Sequence, residues 1–228
     1  MNVKLSKFEK SLIAARYWLL GMAESNPAYF KVIEAMEYGL EHHNGERNGG
    51  DHEFIHQLGI FHHVRTLHRH LRNPVTVYIL IFLHDAVEDP NKKTGKMISL
   101  DDVITRFGEV VSAKVRKLSK EILGQKNPDY SLDAIFEDED TSIVKAGDRV
   151  NNVSSMVGVF KKTRLERYVK ETMEEFLDRI KGARRRFPDQ EGVFENMKLE
   201  LVNQLQLIQH IMEAYDVKDN TTESSEPK

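Results

Sequence analysis

Val77-Tyr78-Ile79-Leu80-Ile81-Phe82-Leu83-His84-Asp85-Ala86-Val87-Glu88-Asp89 is an apolar run that ends in four ionisable side chains. An adjacent His and Asp offer a metal ion an imidazole nitrogen and a carboxylate oxygen. If the helical pattern of the run continues, Glu88 lies one turn beyond His84, and Asp89 one turn beyond Asp85. Burying that edge unpaired is costly, and a bound cation with water would remove much of the cost. The other reading of the stretch is a helix leaving the core, its acids merely hydrated.

The 228 residues suit one sizeable domain or a domain with an appendage. With 30% charged and 40% hydrophobic residues, the composition is that of an ordinary soluble globular protein. A net charge of -3 argues against a nucleic-acid or membrane partner. The absence of cysteine excludes a disulfide scaffold and thiol catalysis, so any metal falls to His, Asp or Glu. The apolar run is too short to span a bilayer. Residues 1–7 lack a signal-peptide core, which makes the cytoplasm the default compartment. Of the 10 histidines, all but His210 lie between His42 and His84, which directs the search for ligands there.

Periodicity predicts an all-α chain. Helices are expected over about 5–24 (Phe8, Leu12, Ala15, Leu19, Met22) and 28–43 (Phe30, Ile33, Met36, Leu40). A third is expected over about 53–71, with Ile60, Val64, Leu67 and Leu71 on its apolar face and His56 on the same stripe. His62, His63, His68 and His70 mostly lie off that stripe and read as surface residues. A loop carrying Gly45, Arg47, Gly49 and Gly50 joins the second and third helices. Beyond Asp89, Pro90 to Lys96 is polar loop. Ser99 and Asp102 mark a helix start, and Val103, Ile104, Phe107, Val110 and Val111 form its face. Helix is expected to continue past Ser119-Lys120, and 124–140 to be loop-rich and acidic.

A further helix opens at Thr141, where Asp148 and Asn152 share a face. Asp148 is a candidate ligand, or else a helix-surface carboxylate paired with Lys145. Two long amphipathic helices follow, over about 164–186 and 190–215, separated by Phe187-Pro188. Lys181, Arg184, Arg185 and Arg186 read as a solvated helix C-terminus complementing the macrodipole rather than a nucleic-acid patch. The chain is thus expected to form one domain over 1–217, with its core at about 28–160, and a disordered polar tail over 218–228.

His56, then His84-Asp85, then Asp148 resembles the H…HD…D pattern of the HD metal-dependent phosphohydrolases. His84 to Asp89 is similar to the HDxxED signature of the RelA/SpoT-type alarmone hydrolases. His43-Asn44-Gly45-Glu46-Arg47 with Phe54-Ile55-His56 is similar to that family's H-x-G-x-x-R…Y-x-x-H segment. Arg106 to Val110, Leu118-Ser119-Lys120 and Lys145 to Asn152 are similar to its R-F-G-x-x-V, L-T-K and K-L-A-D-R-x-x-N stretches. The resemblance runs from about Leu40 to Val157. The chain departs from it at Gln57 for Pro, Asn48 for Lys, Ala146-Gly147 for Leu-Ala, a first loop one residue shorter, and Phe54 two residues before His56.

The resemblance implies an HD-type helical bundle, with room for one short β-hairpin. It also implies a stand-alone small alarmone hydrolase that removes the 3′-pyrophosphate of (p)ppGpp in a stringent-type response. The implied metal ligands are His56, His84, Asp85 and Asp148, and such a set suits Mn²⁺. Glu88 and Asp89 are the implied catalytic groups, and Arg47 and Asn152 the implied contacts to a small nucleotide substrate. The alternatives are an HD-domain hydrolase of another nucleotide (ppApp, a dNTP, a nucleoside monophosphate or NADPH) and a non-catalytic nucleotide sensor. A homo-oligomer is left open.

Overall fold

A computed structural model describes residues 4–47 and 50–223, with side chains described to Glu213. Its elements, in order, begin with α1 (Lys7–Ser25), α2 (Tyr29–His42), α3 (Ile55–Val64) with a 3₁₀ turn over Arg65–His70, and α4 (Pro74–Leu83). Next come α5 (Leu100–Phe107), α6 (Glu109–Leu118) and the strands β1 (Glu121–Ile122) and β2 (Gln125–Lys126). The chain continues through α7 (Leu132–Phe136), α8 (Glu139–Ser155), α9 (Lys162–Glu171), a π turn over Thr172–Phe176, α10 (Leu177–Arg186) and α11 (Glu191–Glu223). This is an all-α bundle with one two-stranded hairpin, Glu121 pairing with Lys126 and Ile122 with Gln125. Among the described residues no helix is long and apolar enough to cross a membrane.

α4 is the axis of the bundle. Val77 to Leu83 are all buried, and a helix apolar on every side is stable only inside other elements. Here α2, α3, α6 and α8 surround it. Pro74 occupies its first turn, where a missing N–H costs no helical bond. Asn73, just before it, donates through Nδ2 to Glu139 (2.8 Å) and Asp140 (3.3 Å) at the start of α8. The two helices begin together, and the shorter α4 ends level with the middle of α8, where His84-Asp85 and Asp148 meet.

A second cluster braces α1 and α2 against this axis. Trp18 meets Tyr29, Phe61, His68 and Tyr78 edge-on at ring separations of 5.5–6.3 Å. The Tyr78 hydroxyl is buried, which pushes its pKa up, and it bonds His68 Nδ1 at 3.0 Å. His68 is therefore not a surface residue as expected. It supplies the partner that a buried phenol needs.

Several local expectations change in the folded chain. The third helix gives way to 3₁₀ geometry after Val64 instead of running to Leu71. On α2, Met36 is buried as expected and Ile33 and Leu40 pack partly against the core, but the buried face is completed by residues outside the expected stripe. Tyr29, Val32, Ala35 and Met36 face the core, and Phe30 is 58% exposed. Gly108, at φ 87°, breaks the expected long helix into α5 and α6, and Val110 turns out to be 68% exposed. Helix ends at Leu118, and the hairpin lies at 121–126, where helix followed by loop was expected. The Ser99–Asp102 capping box forms as read. α11 carries helix through the first residues of the expected tail, and 224–228 lie outside the described residues, as do Asn48 and Gly49.

The C-terminal helices hold α8 through Arg149. Its guanidinium lies 4.3 Å from the ring centre of Tyr168 and 4.5 Å from that of Phe176. It donates to Thr172 Oγ1 (3.2 Å) and Glu171 Oε1 (2.7 Å), at the π turn. The basic run at the end of α10 is paired in part, Arg184 with Glu195 and Lys181 with Asp178 at 2.9 Å.

Candidate metal centre

α4 ends at Leu83, so His84 to Asp89 do not continue the helix as the spacing predicts. His84 keeps helical dihedrals, and the chain then winds through i→i+3 turns, Ala86 N–H to Leu83 O (3.0 Å) and Glu88 N–H to Asp85 O (3.1 Å). The bundle end explains the change. α2 reaches its C-terminus here and pins the turn, His42 Nε2 donating to Asp89 O at 2.8 Å and Asn91 Nδ2 to Glu41 O at 2.9 Å. The four ionisable side chains are thus carried by a braced turn at the mouth of the core.

Three helices supply the cluster: His56 from the first turn of α3, His84-Asp85 from the end of α4, and Asp148 from the middle of α8. One ligand atom from each of His56, His84 and Asp85 lies within 4.8 Å of the others. His56 Nε2 is 4.0 Å from Asp85 Oδ2 and 3.1 Å from Asp148 Oδ1. Asp148 stands beside the trio. Lys145 Nζ holds its Oδ2 at 3.0 Å, and Asn152 Nδ2 donates to its Oδ1 at 2.6 Å. Asp148 is buried instead of lying on the helix surface, and it pairs with Lys145 while also reaching His56. Gly147 allows this approach, since a Cβ there would press on Ile60 Cγ2 (3.1 Å) and Val64 Cγ2 (3.3 Å) of α3.

The tautomer of His84 fits a cation. Its Nδ1 is 2.9 Å from Ile81 O, and a carbonyl only accepts, so Nδ1 carries the hydrogen. Nε2, buried, has no hydrogen-bond partner, although Asp85 Oδ2 lies 3.1 Å away. An imidazole held through Nδ1 by a backbone carbonyl, with Nε2 turned toward the carboxylates where a cation would sit, is the usual arrangement of a metal-binding histidine. Two imidazoles with carboxylate oxygen suit a divalent transition ion.

The electrostatics agree. Burial disfavours a charged His84, but the Asp85 and Asp148 carboxylates outweigh it and raise its pKa to about 9. Burial opposes ionisation of Asp85 too, yet His84 holds it well below the usual carboxylate range. Asp148 behaves likewise beside Lys145. The negative potential that favours a proton on His84 is the potential a divalent cation would answer.

A cavity of about 310 Å³ opens on the cluster, lined by His56, Asp85, Glu88, Asp89 and Asp148 among others. Arg47, Lys120 and Lys145 bring positive charge to the same wall. Burial, reinforced by Asp85, pushes the Glu88 carboxyl up to about 7, and its Oε1 accepts from the Lys120 backbone N–H. Asp89 is shifted upward in the same way. A wider cavity of about 850 Å³ adjoins, and Arg47, His56 and Asn152 line both. The Arg47 loop is ordered at its base by a Glu46–His52 bridge and by Glu53 N–H to Gly45 O (2.8 Å). It is not the plain surface loop its composition allows.

All eight expected site residues line the smaller cavity or, for His84, sit in the ligand cluster against it. Asn152 differs in detail, its amide nitrogen being engaged by Asp148. His43, Glu53, Gln57, Lys120 and Lys145 line the cavity without having been singled out for a role. Burial drives the His43 pKa down to about 4, and both His43 Nε2 and Gln57 Oε1 are buried without a partner. The polar character of a position in an otherwise apolar helix was the available signal for Gln57. His43, Lys120 and Lys145 stand in the motif stretches of the resemblance, which marked them without giving them a role, and nothing local marks Glu53.

No protein-family model matches the chain, and no curated protein matches it. Among solved structures, it is similar to a metazoan ortholog of SpoT described as hydrolysing ppGpp and playing a role in starvation responses. The TM-score is 0.54 at 18% identity, covering 78% of this chain and 94% of that one. At that identity the likeness is one of fold, and this chain is an all-α bundle with the architecture of that SpoT ortholog.

Proposed function

We propose that the chain is a metal-dependent HD-type phosphohydrolase that removes the 3′-pyrophosphate of (p)ppGpp, giving GDP or GTP and pyrophosphate, in the cytoplasm. The observation that carries the reading is the meeting of His56, His84 and Asp85, with Asp148 beside them, in a cavity that also holds Glu88 and three cationic side chains. The solved structure it resembles is of a ppGpp-hydrolysing protein.

A divalent ion such as Mn²⁺, held by His56, His84, Asp85 and Asp148, would polarise a phosphoryl oxygen and lower the pKa of water. Glu88 takes the proton from the attacking water, and the burial that raises its carboxyl makes it a stronger base than an exposed glutamate. Asp89 helps orient the water. Arg47, Lys120 and Lys145 neutralise phosphate charge, Arg47 through its fork of donors. Asn152, on the boundary of the two cavities, contacts the nucleotide sugar or base.

One observation favours a second reading, hydrolysis of a different nucleotide by the same centre. Gln57 replaces the Pro of the resembled motif, and its buried amide oxygen lacks a partner in the cavity wall. An acceptor there suits a substrate hydroxyl or amino group better than a phosphate oxygen. The test is pyrophosphate release from ppGpp with Mn²⁺ and with chelator, for the wild type and Asp85→Ala. Metal-dependent release that is lost in the variant is the expected result. Turnover of another nucleotide in its place would keep the centre and change the substrate. Metal binding without turnover of any nucleotide would leave a sensor.

A further inference from the structure

Asn151 has no part in the reading above, yet it touches the cluster from behind. Its Oδ1 is 2.7 Å from His56 Nδ1. The oxygen of an amide only accepts, so Nδ1 of His56 carries the hydrogen and donates it. With Nδ1 so engaged, Nε2 is the nitrogen turned toward Asp85 and Asp148. Asn151 and Asn152 follow Asp148 by three and four positions on α8, both within reach of the same helix face. One grips the histidine, and its neighbour grips the aspartate.

The other side of the Asn151 amide is also determined. Gly59 lies one turn after His56 on α3. A Cβ at Gly59 would stand 2.4 Å from Asn151 Nδ2 and 3.3 Å from its Cγ. The amide therefore fills the space where any larger residue would carry a side chain. α3 provides a histidine and, one turn later, a gap, and α8 provides the one group that occupies the gap and bonds the histidine.

We infer that Asn151 is a positioning residue for the metal centre, fixing the tautomer and ring orientation of His56, and that Gly59 exists to admit it. The inference rests on the metal reading proposed above. It assigns Asn151 no contact with substrate. Its action passes through His56, as a hydrogen-bond acceptor behind a ligand acts through that ligand.

The experiment is calorimetric titration of Mn²⁺ into the chelator-stripped full chain, for the wild type, Asn151→Ala, Asn151→Asp and Gly59→Ala. Melting curves of each stripped protein accompany it. Losing a partner behind a ligand weakens metal binding by about 10–100-fold. That loss is expected for Asn151→Ala and Gly59→Ala. Asn151→Asp keeps an acceptor in place and is expected to bind as tightly as the wild type or more tightly. In the Zn²⁺-loaded protein, the His56 Nδ1–H proton is expected to give a sharp, slowly exchanging resonance that broadens through faster solvent exchange in Asn151→Ala.

Wild-type affinity in both Asn151→Ala and Gly59→Ala overturns the inference and leaves the metal reading intact. Equal weakening in Asn151→Asp and Asn151→Ala overturns it too, because the acceptor would then be irrelevant. If Asn151→Ala fails to fold, the Asn151→Asp and Gly59→Ala titrations decide. A wild-type chain that binds no divalent ion overturns the inference together with the reading beneath it.

Discussion

α4 ends beside the middle of α8, and the two helices contribute to the centre in opposite ways. α4 is buried through apolar side chains on every face, and it presents ionisable groups only where it stops. α8 carries Lys145, Asp148, Arg149, Asn151 and Asn152 along two turns of buried or half-buried helix. Each of these has a named partner: Asp148 for Lys145 and Asn152, the Tyr168–Phe176 pair for Arg149, His56 for Asn151. A buried polar group costs most while unpaired. α4 avoids the cost by ending. α8 avoids it by pairing, which ties Asp148 to the rest of the molecule. Removing a group from the end of α4 should therefore damage chemistry and spare the fold, whereas removing one from α8 should damage both.

The largest effect is expected at Asp85. Asp85→Ala should abolish metal-dependent turnover, read by pyrophosphate release, and should lower the melting point of the stripped protein only modestly, because the His84 it leaves behind can shed its proton. A strongly lowered melting point would erase the contrast between the helices. Glu88→Gln comes next, with turnover lower by about 10²–10⁴-fold and Mn²⁺ affinity unchanged. Loss of metal in that variant would make Glu88 a ligand instead of a base.

Asp148→Ala should cost about 3–5 kcal/mol of stability in denaturant titration, because it leaves Lys145 charged and unpaired in a buried position. Asp148→Asn should cost less, and a loss no greater than that of Asp85→Ala would break the comparison. The pH dependence then sharpens the role of Glu88. Its carboxyl is raised from 4.5 to about 7 in the folded chain, so the native state binds the proton more tightly than the unfolded one. Its contribution to stability is thus present at low pH and lost as pH rises through the window from 4.5 to about 7. In chelator, Glu88→Gln should melt above the wild type at pH 8, and the gap should close toward pH 4.5. With metal, wild-type turnover should fall on acidification through a limb at or below about 7 that the variant lacks. The smallest effect is local. Ser99→Ala removes the cap of α5, far from either helix end, and should cost about 1 kcal/mol with turnover untouched.

Much of this molecule is legible in one dimension because the relevant physics is short-ranged. Ser99 and Asp102 cap one helix start from three residues apart, and Pro74 and Pro188 mark helix starts wherever they occur. Val77 to Leu83 can only be buried, so the ionisable groups that follow must sit at a core boundary. The ordered set His56, His84, Asp85 and Asp148 could be read as a candidate metal site through its resemblance to the H…HD…D pattern, because spacing alone left both His56 and Asp148 with other uses. The spacing also put Asp148 and Asn152 on one face, and they are 2.6 Å apart.

What only the tertiary structure decided depends on partners far away in the chain. A stripe of spacing three and four does not say which of two adjacent faces is covered, so Phe30 lies outside and Tyr29 inside once α4 is in place. His68 reads as a surface residue until Tyr78 needs an acceptor. The apolar pattern allowed helix to run on through His84, and the brace from His42 and Asn91 goes with a turn instead. Asn151 carries no signal at all until α8 crosses α3. Its partner is 95 residues away, and the gap it fills is made by a glycine on another helix. Local sequence determines which segments are helices and which side chains have the chemistry. The packing of one helix on another determines which nitrogen of a histidine faces the cavity, because a hydrogen bond is decided by where its acceptor stands.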